Sequence, residues 1–479
     1  MSMTQPLSPA LSEGDARLEP PRREEPAAGE PLDGAPLALA LLLYAASDTH
    51  AMALAWIANR HSEIAVALTL LGLWAHLRAR EDGWRPGALL SPLFCALGLL
   101  ASETALGGLA YFLAFELLGR SDPLRARLRA LVPVSLLALA YLLAYKLGGY
   151  GTHHSGSYID PLGEPLAFLQ VAPRRALALV GSLFLGPPAE AQQQLPALAW
   201  LWPLLGALAL ALLTLLIRPV LAELAAEPRR RLRWLLAGAA LSLLPSLGAM
   251  PGGRLLIVPS LGAAAVCAVL VHHAFRRRAG VLRRLRLGAL VLMLGIRPAL
   301  TFVASLGALQ GYAQRLPQIA HAAELPPQPG RRVLAPVLPD FFTATYVPTL
   351  LLVEGAPLPR SWWVLSMAPR DHVLTRTAAD RIELVAVGGP MLDTAFERLL
   401  RSAAVPLHRG DIVPLNGLTV HILDEQGGSP TRIEARFERS LDDPELWCLE
   451  WRDGALRRMT LPPVGGSVRI PHRRGSFGL

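Results

Sequence analysis

Long apolar segments separated by short polar ones dominate residues 34–312, a pattern typical of multi-pass membrane proteins. The first segment, residues 36–46, is about half the length that spans a bilayer. Residues 176–187 are flanked by arginines and prolines, so we interpret them as interfacial or re-entrant. The remaining predicted spans are 62–77, 88–101, 104–119, 131–147, 197–217, 234–248, 255–275 and 287–309. This pattern predicts a membrane all-α bundle of about eight or nine transmembrane helices.

The polarity pattern changes on both sides of this apolar region. Residues 1–33 are rich in Pro, Glu and Ala and lack periodic apolar positions, which predicts a disordered cytoplasmic tail. After a linker at 313–330, short β-rich runs alternate with Gly and Pro turns over 331–479. We therefore expect a soluble, mostly β and mostly antiparallel C-terminal domain on the extracytoplasmic side, with one short helix at 393–404.

The arginines form clusters beside the apolar segments, and threading the chain between them places every cluster on one face. This positive-inside pattern predicts a cytoplasmic N-terminus and a periplasmic C-terminal domain, most simply in a bacterial inner membrane. A crossing by 176–187 would move one cluster outside, which is why we predict none there. The clusters are Arg78 and Arg80; Arg120, Arg125, Arg127 and Arg129; Arg229, Arg230, Arg231 and Arg233; and Arg276, Arg277, Arg278, Arg283, Arg284 and Arg286.

Charge and composition narrow the possible partners. The formal net charge is +9 and 52% of the residues are hydrophobic. Residues 34–330 carry 25 basic and 13 acidic residues, so the excess lies on the loops of the apolar region. We therefore expect membrane lipid as a partner and no nucleic acid. The sequence has no zinc spacing, phosphate-binding loop or dinucleotide fingerprint, so we predict no metal site and no cofactor.

Five polar residues lie next to apolar segments on the predicted extracytoplasmic face, where ionisable groups are costly and are candidates for function. Asp48, His50 and Arg60 surround one loop, and Glu103 lies between two apolar runs. Arg254 is the only charged residue between two long apolar spans. A guanidinium is suited to bidentate contact with phosphate. Solvated loops, helix caps and interfacial anchors are the alternative structural explanations for these positions.

Three sequence blocks contain most of these residues, in the order HAMALAWIANRHSEIAVAL, LLASETALGG and GRLLIVPSLGAAAV. They resemble the HPxHxEAVAWIxGRxDLLA, LSKE and ERYLYLPSLG blocks of the GT-C superfamily of membrane glycosyltransferases, especially its O-mannosyltransferase-like members. In this resemblance His50 matches the second histidine, Trp56 the tryptophan and Arg60 the arginine of the first block. Glu103 and Arg254 match the glutamate and the arginine of the other two.

The resemblance implies transfer of a sugar from a polyprenyl-phosphate donor to a glycan, lipid or protein acceptor of the cell envelope. Arg254 would bind the lipid phosphate, while His50, Arg60 and Glu103 would shape the donor or acceptor cavity. The lipid-linked sugar would be a co-substrate, and no divalent metal is expected.

The chain also departs from the family pattern. The family carries its catalytic carboxylates in a loop that would precede the first apolar segment here, which suggests a truncated or divergent member. Ala101 and Ser102 stand before Glu103 where the family has Ser and Lys. Asp48 is the nearby carboxylate that could substitute as the catalytic group. A non-catalytic membrane scaffold and, less favoured, a transporter of lipid-linked sugars therefore remain alternatives.

Overall fold

The computed structural model describes residues 34–151, 155–276, 287–326 and 330–475. The disordered tail predicted for residues 1–33 lies outside these ranges. Residues 34–326 form a bundle of helices, and residues 330–475 form two β-sheets with two short helices. A mostly β C-terminal region therefore follows an apolar helical region, as the sequence predicts.

The bundle contains twelve helices among the described residues, numbered in chain order. Several are joined by short 3₁₀ turns, of which Asp48–His50, Leu244–Gly248 and Gly253–Leu256 matter below. The helices are α1 Ala35–Ala45, α2 Ala51–Ala55, α3 Arg60–Glu81, α4 Gly87–Ala101, α5 Thr104–Ala114, α6 Leu124–Leu147, α7 Pro165–Phe184, α8 Ala191–Gln194, α9 Leu201–Glu223, α10 Ala226–Ser242, α11 Pro259–Arg276 and α12 Leu287–His321.

Five helical segments among the described residues are long and apolar enough to cross a membrane. They are Ala35–Ala55, which includes α1 and α2, together with α6, α7, α9 and α12. The structure does not confirm the predicted eight or nine crossings. Helices α4 and α5 are apolar but short, and α3, α10 and α11 fall below the same standard. The sequence pattern detects the apolar middle of these helices. Polar residues at their ends lower the mean hydropathy of the whole helix.

We predicted a short interfacial or re-entrant segment at 176–187, and the structure differs from this prediction. Residues 176–184 belong to α7, a continuous helix of 20 residues that packs along α9. Gly181 and Gly206 allow this close approach, because a Cβ on Gly206 would collide with the carbonyl of Leu177. The chain leaves the helix after Phe184 and passes through the Gly186-Pro187-Pro188 break into the loop before α9.

The helix directions place three of the arginine clusters, at residues 78–80, 120–129 and 229–233, together with Arg276 at one end of the bundle, here called the Arg-rich end. The rest of the fourth predicted cluster, at 277–286, lies outside the described residues. Arg80 at the end of α3 donates to Glu116 over 2.7 Å and to Asp122 over 2.7 Å, and His76 contacts Glu116 over 2.8 Å. Glu116 lies in the π-helical turn that continues α5. These contacts fix the ends of α3 and α5 to the start of α6.

Helices α10 and α11 run between the same two ends. Trp234 of α10 packs edge-on against Phe115, and Gly262 of α11 lies against Leu235 and Ala239. The hydroxyl of Tyr111 donates to the carbonyl of Val258 and accepts from the N–H of Gly262, each over 3.0 Å. The start of α10 and the end of α11 therefore lie at the Arg-rich end, and the loops described below lie at the opposite end.

The C-terminal region contains two sheets. The smaller has the strand order β2-β1-β8-β9, with β1 parallel to β2 and β8, and the larger has the antiparallel order β10-β3-β4-β7-β6-β5. The parallel pairs were not predicted. The elements are β1 Arg332–Val337, α13 Phe341–Val353, β2 Ser361–Ser366, β3 His372–Ala378, β4 Arg381–Ala386, α14 Ala395–Leu400, β5 Ile412–Leu415, β6 Leu418–Gln426, β7 Ser429–Phe437, β8 Leu446–Arg452, β9 Ala455–Arg458 and β10 Ser467–Ile470. Helix α14 lies within the predicted 393–404.

Helix α12 and the loop before α7 both contact the C-terminal region. Helix α12 runs without a break to His321, through the start of the predicted linker 313–330, because Ile319 and Ala320 are buried against the smaller sheet. In addition, the loop before α7 contacts α14. The N–H of Gly156 donates to the carbonyl of Arg398 over 2.8 Å, and the Ser155 hydroxyl donates to the carbonyl of Leu399 over 2.8 Å.

Candidate functional site

Two cavities lie at the end of the bundle opposite the Arg-rich end. The first, here called the Glu103 cavity, has a volume of about 250 Å³ and is lined by Glu103, Tyr158 and Asp160, among others. The second, here called the Asp48 cavity, has a volume of about 260 Å³ and is lined by Asp48 and Glu190, among others. Arg254 lines both cavities, so it lies at their junction.

Arg254 belongs to the 3₁₀ turn Gly253–Leu256 that leads into α11. Its guanidinium donates to the hydroxyl of Tyr158 over 2.9 Å. Within the described residues it has no carboxylate within ion-pair distance, unlike Arg80 at the Arg-rich end. A guanidinium with one neutral partner beside two cavities keeps most of its donors for a ligand anion.

The loop that carries Tyr158 is fixed to the bundle on both sides of that residue. Arg175 of α7 donates to the carbonyls of Ser157, Leu247 and Gly248 over 3.0, 3.0 and 2.7 Å. The N–H of Ile159 donates to the carbonyl of Gly248 over 2.8 Å. Asp160 forms an ion pair with Lys146, which holds the pKa of this carboxyl below its usual range. These contacts make the loop a fixed wall of the Glu103 cavity.

Glu103 lies at the wall of the cavity that bears its name and is exposed to it. Its side chain does not cap α5, and its Oε2 lies 3.5 Å from the hydroxyl of Ser102. Ser102 instead accepts from the N–H of Thr104 over 3.2 Å, so the serine caps the helix. Glu103 is therefore available to a ligand in the same cavity as Arg254.

Asp48 and Glu190 reach the second cavity from different parts of the chain. Asp48 begins the 3₁₀ turn Asp48–His50, which is capped by the Ser47 hydroxyl. Glu190 lies at the end of the loop between α7 and α8, and its Oε1 accepts the N–H of Gly253 over 2.6 Å. Burial raises the pKa of the Glu190 carboxyl, while the Gly253 N–H acts in the opposite direction.

Glu190 was not identified from the sequence. It is the only charged residue between Arg175 and Arg218, a stretch that is otherwise apolar or neutral. That isolation is the signal that could have identified it, since a lone carboxylate in an apolar stretch is costly unless it has a function or a partner. Its approach to Gly253, by contrast, depends on the three-dimensional structure.

His50 and Arg60 are not among the residues that line either cavity. His50 is buried, with Nδ1 at 2.8 Å from Glu63 Oε1 and Nε2 at 3.0 Å from the carbonyl of Tyr44. It therefore joins α1 to α3. Arg60 is exposed and donates to the carbonyl of Leu54 over 3.3 Å. The structure thus brings Asp48, Glu103 and Arg254 together around the cavities and leaves His50 and Arg60 outside them.

Charged and hydroxyl side chains line the two cavities, together with apolar side chains. Among the residues that the structure describes, no three His, Cys, Asp or Glu side chains converge to hold a metal ion. No protein-family model matches the chain, and no curated protein and no solved structure is detectably similar to it. The arrangement of the site itself must therefore support any functional proposal.

Proposed function

We propose that the chain is a membrane glycosyltransferase of the GT-C type that takes its sugar from a polyprenyl-phosphate donor. The observation that carries this proposal is the position of Arg254 at the junction of two cavities, without a carboxylate partner in the described structure. A lipid phosphate would satisfy the free donors of this guanidinium. Two adjoining cavities suit a reaction in which a donor and an acceptor must meet at one phosphate.

The roles of the cavity residues follow from charge. Arg254 would bind the donor phosphate and stabilise the negative charge that develops on it as the sugar leaves. Glu103 would contact hydroxyls of the donor sugar in the first cavity, and Asp48 would contact the acceptor in the second. His50 and Arg60 would act indirectly, by holding the turn that carries Asp48 in place. No metal is assigned a role.

The proposal includes an orientation in the membrane. We infer a multi-pass protein of the bacterial inner membrane, with eight or nine crossings about the bundle axis and the Arg-rich end in the cytoplasm. Both cavities and the β-sheets would then face the periplasm, where the acceptor would be a glycan, lipid or protein of the cell envelope. The variants Ser155→Cys and Asp82→Cys test this orientation. A membrane-impermeant thiol reagent added from the periplasmic side should label the first cysteine and not the second.

The experiment that tests the proposal measures release of polyprenyl phosphate from polyprenyl-phosphate sugars by the purified full chain in lipid nanodiscs. Arg254→Gln is expected to reduce turnover by about 100-fold or more, since loss of one preorganised donor to a developing anion has an effect of this size. Arg85→Gln is the matched control, because Arg85 is exposed and lines neither cavity. Its turnover should equal that of the wild type.

A binding measurement separates catalysis from recognition. Wild-type chain that binds labelled polyprenyl phosphate without any turnover would support the alternative of a non-catalytic, lipid-phosphate-binding membrane protein. Within the described residues Arg254 has no carboxylate in ion-pair distance and donates to the neutral Tyr158 hydroxyl, which favours such binding in either case. Absence of both binding and turnover, with a panel of donor sugars, would contradict the proposal.

A further inference from the structure

The Asp48 cavity contains a second carboxylate whose surroundings differ from those of Asp48. Within the described residues, Glu190 accepts the N–H of Gly253 on Oε1 and forms no ion pair. Its carboxylate lies against the backbone of Gly252 and Gly253, where a Cβ would come within 3.2 and 3.4 Å of Oε1. Because these two residues are glycines, the carboxylate can lie close to the backbone that directly precedes Arg254.

The charged and titratable groups around Asp48 and Glu190 come from three elements. Asp48 lies on the turn before α2, Arg254 on the turn before α11, and Arg297 and Tyr312 on α12. Arg297 is already engaged, because it donates to the carbonyls of Gly186 and Leu183 over 2.8 and 2.9 Å. It lies within electrostatic range of Asp48, as does His50. The positive charges near this cavity, other than Arg254, thus stabilise Asp48 rather than Glu190.

We propose that Glu190 is the catalytic base that accepts the proton of the acceptor hydroxyl, while Asp48 orients the acceptor; this assignment rests on the proposed function. A base needs a carboxylate that faces the substrate cavity and is not held in an ion pair. Glu190 lines the Asp48 cavity and forms no ion pair within the described residues. The charge of Arg254 acts to lower the pKa of this carboxyl, but burial has the larger effect and raises it. Hydrogen bonding from Gly253 holds one oxygen and leaves Oε2 for the acceptor.

The transfer step then balances without any further reactant. The acceptor oxygen attacks the anomeric carbon of the sugar and forms the new glycosidic bond as its proton passes to Glu190. The bond between the anomeric carbon and the phosphate oxygen breaks, and its electron pair leaves with polyprenyl phosphate. Arg254, which lies at the junction of both cavities, would neutralise the added charge on the phosphate.

The cavity also restricts the class of acceptor. Two carboxylates lie in about 260 Å³, together with the apolar side chains of Met52, Leu256 and Leu309. An anionic acceptor would be repelled by Asp48 and Glu190. The geometry therefore favours a hydroxyl on a neutral or cationic group, such as a neutral sugar or a serine or threonine side chain, over a phosphate- or carboxylate-bearing one.

The test compares Glu190→Gln, Glu190→Asp and Arg254→Gln in full-length protein in nanodiscs. Glu190→Gln is expected to lower kcat for sugar transfer by about 100-fold or more and to abolish the acidic limb of its pH profile. Glu190→Asp should restore part of the rate. Binding of labelled polyprenyl phosphate should stay within about threefold of wild type in both variants, in contrast to its loss in Arg254→Gln, and this binding also reports that the variants are folded.

The outcomes separate the two proposals. If the wild type turns over and Glu190→Gln is equally active with an unchanged pH profile, the assignment of Glu190 as the base is overturned. The proposed function is not affected by that result. Wild-type protein that turns over no donor overturns the proposed function and this assignment with it. Faster transfer to a carboxylate-bearing acceptor than to its neutral amide would overturn the inference about acceptor class.

Discussion

The hydroxyl of Tyr158 lies 2.9 Å from the guanidinium of Arg254, although 96 residues separate the two in the chain. The contact joins the wall of the Glu103 cavity to the residue shared by both cavities. A hydrogen bond from a charged donor contributes roughly 1.5–3 kcal/mol. Part of the energy that fixes the direction of Arg254 therefore comes from a loop outside its own turn.

Tyr158→Phe should consequently weaken binding of the lipid phosphate without abolishing it. Removing the acceptor frees Arg254 to adopt other rotamers. We expect the Kd for labelled polyprenyl phosphate to rise by about 5- to 20-fold, which is less than the full energy of one such bond because Arg254 can still reach the phosphate. Tyr150→Phe is the control, since Tyr150 is exposed and lines neither cavity. Equal affinities in wild type and Tyr158→Phe would show that the contact does not orient Arg254.

Arg175→Met should loosen the loop that carries Tyr158. The guanidinium donates to three backbone carbonyls, and the substitution leaves all three without that donor. We expect a loss of about 3 kcal/mol in stability and faster amide hydrogen exchange over residues 155–160. Arg174→Met is the matched control, because Arg174 is the exposed neighbour and makes none of these three hydrogen bonds. Unchanged exchange in Arg175→Met would contradict this role.

The features that follow from local sequence were largely predictable. The apolar helices, the β-rich C-terminal region and the short helix within 393–404 all have local signals. Helix α14, for example, begins with a capping box between Thr394 and Glu397 that is visible as a spacing of three residues. The sequence selected five polar residues on one predicted face, and three of them, Asp48, Glu103 and Arg254, line the two cavities.

The features that depend on long-range approach were not predictable. Glu190 reaches Gly253 across 63 residues, and no local pattern encodes this contact. His50 has the residue type of a binding group, yet Glu63 and Tyr44 occupy both of its ring nitrogens. The parallel pairing of β1 with β2 and β8 likewise depends on strands from distant parts of the chain. A periodic pattern gives the faces of an element but not its partners.

The burial of His372 should make the stability of the β-sheets depend on pH. It is fully buried and its Nε2 lies 2.9 Å from the Ser366 hydroxyl. Burial lowers its pKa to about 4, so between that value and its ordinary pKa near 6.5 the unfolded chain binds more protons than the folded one. Stability should be complete above pH 6.5 and should fall by about 3 kcal/mol as the pH drops to 4.

The measurement for His372 is unfolding of the full chain followed by tryptophan fluorescence, since Trp363 of the smaller sheet packs in one core with residues of the larger sheet. His372→Gln should be less stable at neutral pH and should lose less stability between pH 6.5 and 4 than the wild type does. His421→Gln, on strand β6, is the control and should keep the full pH dependence. A wild-type profile that is flat over this interval would contradict the prediction.

Gly156 tests whether the β-sheets support the cavities. A Cβ at this position would lie 2.8 Å from the carbonyl oxygen of Arg398, so Gly156→Val must break the contact between the loop and α14. The loop also carries Tyr158, and we therefore expect weaker binding of polyprenyl phosphate, by about 3- to 10-fold, with little change in overall stability. Gly307→Ala adds its methyl group to open space and is the control. Unchanged binding in Gly156→Val would mean that Arg175 and Gly248 hold the loop without help from α14.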